Sequence, residues 1–115
     1  MLEELAKAKI IGVRAGTGHR YTGVWVVTTE DRAFVRSWND KPTGWYQAFL
    51  TEPQGSIQLG NREIAVRVRR AASERLQKAV SAAYADKYNT KASQKWVRGF
   101  HEGKREGATL ELLPA

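Results

Sequence analysis

The sequence predicts an α+β fold, mainly β: a small antiparallel barrel of about six strands carrying short helices. Three observations point there. Short β-branched or aromatic runs recur along the chain, with Val24-Trp25-Val26-Val27-Thr28 the strongest of them. Glycine-containing polar turn signals punctuate those runs, at Gly16–Gly18 and Gly60-Asn61. Only one long stretch has helical periodicity, with Leu76, Val80, Tyr84 and Tyr88 repeating every fourth residue. A chain of 115 residues forms one domain, 1–115, large enough to bury a core without staples.

Taken in order, Leu2 to Lys9 reads as a short helix, with Leu2 and Leu5 three apart. Ile10 to Arg14 is a first strand, and Ala15 to Arg20 a glycine-rich turn. That turn lacks the third glycine and following helix of a dinucleotide loop, so it is hairpin punctuation. His19 and Arg20 either line a pocket from this turn or face solvent. Val24 to Thr28 is apolar on both faces and is expected to be covered on both. Thr29 to Arg32 is a connector of hairpin length, and Ala33 to Trp38 returns antiparallel. Along that return strand Phe34, Arg36 and Trp38 share one face, and Ala33, Val35 and Ser37 the other.

A polar turn, Asn39 to Pro42, leads into an amphipathic segment from Gly44 to Leu50, where Trp45/Phe49 and Tyr46/Leu50 have i, i+4 spacing. Glu52-Pro53-Gln54-Gly55 breaks it. Ser56 to Leu59 and Arg62 to Arg70 form a hairpin about Gly60-Asn61, with Ile64, Val66 and Val68 inward. Arg67 and Arg69 point outward, to a subunit interface, a phosphate or solvent. Ser73 is an N-cap for a helix ending near Asn89. From Lys91 to Gly107, Gly99, Gly103 and Gly107 argue against a long helix, each costing roughly 1 kcal/mol relative to alanine. Trp96, Val97 and Phe100 are spaced for one helical turn of contacts, and two readings of the segment stay open: a lid that orders on an anion, or an irregular surface loop. Ala108 to Leu113 is the last strand.

Composition excludes several chemistries. With no cysteine there are no disulfides, thiolate metal sites or cysteine nucleophile. His19 and His101 stand apart without a carboxylate at ligand spacing, so no metal site is expected. No apolar run approaches the roughly 20 residues that span a bilayer, and no secretory signal opens the chain, which makes a cytoplasmic location the expectation. Nineteen Lys and Arg against twelve Asp and Glu give a net charge of +7, favouring anionic partners. The charges are scattered, so nucleic acid is the lesser expectation and a small anionic molecule the greater.

The candidate site is the segment from Phe34 to Tyr46. Arg36, Ser37 and Lys41 are phosphate-binding residue types, and Trp38, Trp45 and Tyr46 supply flat rings beside them. Such a corner suits a phosphate-bearing planar ligand. Trp45 and Phe49 have a simpler role open to them, pinning a helix to the barrel, and Tyr46 fits either role. No side chain here is marked as a catalytic acid, base or nucleophile.

The element order, with Val24-Trp25-Val26-Val27, Phe34-Val35-Arg36-Ser37, Gly44-Trp45-Tyr46-Gln47-Ala48, Gly55-Ser56-Ile57 and Ala83-Tyr84-Ala85-Asp86-Lys87-Tyr88, resembles the flavin-binding split-barrel superfamily. Within it the chain is similar to the bacterial family catalogued as domain of unknown function 2255, related to the deazaflavin-dependent nitroreductases. The resemblance implies a split barrel, a homodimer, and an FMN or deazaflavin cofactor used by an oxidoreductase for hydride transfer to a small acceptor. Carried onto this chain, the cofactor-flanking serine, lysine and Trp-Tyr pair fall on Ser37, Lys41, Trp45 and Tyr46. Where those relatives have Asn-Pro, this chain has Glu52-Pro53, and no role passes to Glu52. Two rivals stand beside this expectation: a barrel binding a small molecule or protein without a cofactor, and a basic barrel binding nucleic acid by stacking and phosphate contacts.

Overall fold

Six strands, β1 (Ile10–Ala15), β2 (Thr22–Thr29), β3 (Arg32–Arg36), β4 (Gln54–Leu59), β5 (Arg62–Arg70) and β6 (Thr109–Pro114), close into a barrel in the order β1-β2-β3-β6-β5-β4. Every neighbouring pair is antiparallel, including the β1–β4 pair that closes the ring. The structure is a computed structural model that describes residues 1–38, 44–100 and 103–115, with Gly103 and Lys104 described by their backbone alone. Closure leaves no unpaired sheet edge, which removes the usual route to edge-to-edge aggregation.

The strands alternate as the sequence pattern requires. Ile11, Val13 and Ala15 of β1, Val26 of β2, Val35 of β3, Ile57 of β4, Val66 of β5 and Leu110 and Leu112 of β6 fill the barrel. Leu5 from α1 (Leu2–Lys7) and Tyr46 and Phe49 from α2 (Trp45–Thr51) join the same cluster. Burial of each such side chain is worth roughly 1.5–3 kcal/mol.

A second core lies outside the barrel wall. Val27 and Phe34 face outward from β2 and β3 and meet Leu76, Val80, Tyr84 and Tyr88 of α3 (Glu74–Lys87). Val26 and Val27 are both fully buried although they point to opposite faces, so β2 is covered on two sides as its composition predicts. The Ser73 hydroxyl accepts from the Leu76 N–H at 3.2 Å, which makes the expected N-cap. Of the outward arginines of β5, Arg69 is bound by the buried carboxylate of Glu111 at 2.7 Å, and Arg32 binds the same carboxylate from the other side at 2.8 Å.

Two expectations are corrected. The segment after Asn89 is not an irregular loop: Gln94–Phe100 forms α4, which takes in the helical turn expected from Trp96 to Phe100, and Gly103–Glu106 forms α5. Val97 and Phe100 are buried in the outer core, and that burial outweighs the helix cost of Gly99. The return strand stops at Arg36, before Trp38, although the Ser37 N–H still donates to the Ala108 carbonyl at 3.0 Å. Among the described residues no helix is long and apolar enough to cross a membrane, and no His, Asp and Glu cluster is arranged to hold a metal.

Candidate functional site

Where the barrel wall meets the outer helical layer, a cavity of about 560 Å³ opens between β1, β2, the end of β3, the start of α2 and α4. The chain has four tryptophans, and all four line it: Trp25, Trp38, Trp45 and Trp96. Phe100 adds a fifth ring. The volume lies within the range of about 300–1,000 Å³ usual for small-molecule and cofactor pockets.

Each ring is positioned by packing. Trp25 lies flat on Tyr88, with centroids 4.2 Å apart and planes within 1°. Beneath it the Tyr84 hydroxyl donates to the Trp25 carbonyl at 2.8 Å, and the Tyr88 hydroxyl donates to the Lys9 carbonyl at 2.6 Å. Burial pushes both phenols up, that of Tyr88 to about 12, so both stay protonated and act as structural donors. Trp38 carries the Arg105 guanidinium over its ring at 3.8 Å and meets Trp96 and Phe100 edge-on at 5.0 and 5.4 Å. Arg105 also donates to the Trp38 carbonyl at 3.0 Å. Gly99 makes this approach of α4 possible, because a Cβ there would lie 2.2 Å from Trp38 Cη2. Trp45 opens α2 and sets its edge against Phe49. Trp96 stands at the rim, 43% exposed.

The residues singled out from the sequence divide. Arg36, Ser37, Trp38 and Trp45 line the cavity together. Tyr46 does not: it belongs to the barrel interior, with its hydroxyl 3.5 Å from the Gly107 carbonyl, so the helix-pinning role is the one it takes. Lys41 lies outside the described residues.

Arg36 touches the cavity but is committed to the core. It is 2% exposed, and its guanidinium donates to Thr109 Oγ1 (2.7 Å), Ser81 Oγ (2.8 Å), the Phe100 carbonyl (2.9 Å) and the Gln77 carbonyl (2.9 Å). That uses four of its five N–H groups. Burial lowers its pKa, yet an arginine starts so high that it stays cationic. The Ser81 hydroxyl passes the interaction on to Glu106 at 2.7 Å, and with Lys78 and Arg36 it holds that carboxyl below its ordinary range. A guanidinium engaged in this way ties β3 to α3, α4 and β6 and has little left for a phosphate.

Trp25, Trp96 and Phe100 were not among the sequence candidates, which clustered around one turn. The one sequence signal for two of them is that the chain has only four tryptophans, of which Trp38 and Trp45 were already in the candidate site; Phe100 carries none. The described lining residues include no carboxylate, histidine or lysine, and what they offer is planar contact.

The fold is thus a closed six-stranded antiparallel barrel, mainly β, with short helices packed on it and an aromatic cavity between its wall and the outer helical layer. The chain belongs to the bacterial family described as uncharacterized protein conserved in bacteria (DUF2255), which matches it over residues 2–112. No curated protein matches the chain.

Proposed function

We propose that the protein binds a flat, ring-bearing small molecule in the tryptophan-lined cavity, and that a flavin-like cofactor, FMN or a deazaflavin, is its occupant. The observation that carries this is the convergence of all four tryptophans on one cavity of about 560 Å³. Aromatic walls recognise flat π-systems by stacking and edge contacts, worth about 0.5–1.5 kcal/mol per ring pair beyond area burial. A flavin ring suits a cavity of this size and lining. Its phosphate is not served by Arg36, which leaves Ser37 and Lys41, phosphate-binding residue types that the resemblance to flavin-binding split barrels places beside the cofactor. When bound, such a cofactor supplies hydride transfer to a small acceptor, and the chain's own residues position the ring and keep water from it.

A second function is favoured by one specific observation. Arg36 is the single charged side chain among the described lining residues, and it is already engaged. An uncharged planar ligand would therefore suit the cavity with no cofactor chemistry.

Thermal unfolding with FMN, with a deazaflavin and with riboflavin tests this function. Ligand at about 100 times its dissociation constant stabilises the native state by roughly 2.7 kcal/mol. For a domain of this size the midpoint rises by about 10 °C. Trp38→Ala and Trp45→Ala, which remove two walls, are expected to abolish the rise. If none of the three ligands moves the midpoint or quenches tryptophan emission, the flavin function is wrong.

A further inference from the structure

A smaller cavity of about 200 Å³ adjoins the aromatic one, sharing Thr22, Gly44 and Trp45 as a common wall. Its remaining lining is Ala15 and Ala48 with three basic residue types, Arg14, His19 and Arg20. Arg14 is held in place: its guanidinium lies 4.5 Å above the Tyr21 ring, and Nε donates to Ser56 Oγ at 3.3 Å. The Tyr21 hydroxyl is itself braced by Ser56 and Glu63, each at 2.8 Å. Arg14 also faces Glu63 at 3.7 Å, but that carboxylate is 59% exposed and the pair is weak in water. Arg14 stands between this cavity and another that Ser56, Glu52 and Glu63 line with it, and among the described residues no carboxylate lines the cavity beside Trp45. His19 and Arg20 are exposed and make no hydrogen bond or ion pair among the described residues.

We infer that this basic cavity is the seat of a phosphate monoester on the ligand whose ring occupies the aromatic cavity, with Trp45 between the two. The inference rests on the ring-binding function proposed above and moves the anion-binding role away from the residues that follow β3. A braced guanidinium and a second, uncommitted one beside it suit a phosphate, because planar N–H pairs match phosphate oxygens in bidentate geometry. The ligand class that follows is a phosphorylated planar molecule, and the uncharged molecule with the same ring is the weaker binder.

FMN and riboflavin share one ring and differ by the phosphate, so titrating each into the protein and following tryptophan quenching separates the two cavities. FMN is expected to bind at least about tenfold more tightly than riboflavin, the effect of a single charge-assisted contact. The double variant Arg14→Gln with Arg20→Gln is expected to bring the two affinities together by weakening FMN and leaving riboflavin unchanged. Arg20→Gln alone, at an exposed position, is expected to lower the FMN preference at least about threefold, which keeps the test valid if the double variant does not fold. Equal affinities in the unaltered protein overturn the phosphate seat while leaving the ring site standing. Loss of the preference in Lys41→Gln, with its retention in the arginine variants, also overturns it and returns the phosphate to the turn after β3. If neither flavin binds, the ring-binding function fails and the phosphate seat fails with it.

Discussion

Replacing Arg36 with methionine keeps most of the side-chain volume and removes a buried hub. Four acceptors lose their donor: the Gln77 and Phe100 carbonyls and the hydroxyls of Ser81 and Thr109. The hydroxyls keep partners of their own, since Ser81 donates to Glu106 and Thr109 donates to the Glu106 carbonyl, both at 2.7 Å. Of the two carbonyls, that of Gln77 lies within α3 and keeps its place in the helical ladder, while that of Phe100 stands at the end of α4; a buried acceptor left without a donor costs about 1–3 kcal/mol. With the charge-assisted bonds gone as well, the loss is expected to be about 3–5 kcal/mol, the range seen when one member of a buried ionic network is removed. Total stabilities of about 5–15 kcal/mol make that a large fraction. The midpoint of thermal unfolding then falls by about 12–20 °C. Urea unfolding followed by tryptophan emission measures it, with an unchanged slope marking an unchanged denatured state. Arg36→Lys retains the charge, but one ammonium cannot serve four acceptors around a planar fork, so it is expected to recover less than half of the loss. A loss below about 1 kcal/mol in Arg36→Met would refute the account of Arg36 as a core hub and return it to the pool of ligand-binding cations.

Two further outcomes follow from single contacts. The buried Glu111 carboxyl is held below its ordinary range first by its hydrogen bond from Arg32 and then by Arg69; its folded pKa is therefore depressed, and its contribution is present above the unfolded value near 4.3 and lost as pH falls through the folded value. Glu111→Gln is expected to cost about 1–3 kcal/mol at pH 7 and to flatten the decline in urea midpoint below about pH 4, and a decline as steep as in the unaltered protein would count against the triad. Gly99→Ala gains about 1 kcal/mol of helix propensity but places a methyl 2.2 Å from the tip of Trp38, so the ring must move. Stability is expected to change by less than about 1 kcal/mol while the near-ultraviolet circular dichroism changes and flavin affinity falls at least about tenfold; an unchanged spectrum would show that Trp38 is not the wall described.

The sequence alone carried the barrel. Period-two alternation in β4 and β5 and the two-faced apolar run of β2 needed only the geometry of a pleated strand, and the i, i+4 stripe of α3 with its Ser73 cap needed only that of a helix. Local signals of this kind depend on neighbours within a few residues, and they are written in the order of the chain. Helix α4 was legible only as the turn of contacts from Trp96 to Phe100, because Gly99 speaks locally against a helix while the burial of Val97 and Phe100 depends on α3 and Trp38, far away in sequence. The site was half legible for the same reason. Arg36, Ser37, Trp38 and Trp45 stand close together in the chain and in space, but the direction of Tyr46 was decided by which face of α2 the barrel buries. The commitment of Arg36 depended on acceptors contributed by α3, α4 and β6, none of which is a neighbour in sequence. Trp25 and Trp96 joined the cavity only when the outer helical layer closed over the barrel wall, since long-range packing, unlike strand or helix period, leaves no mark on adjacent residues.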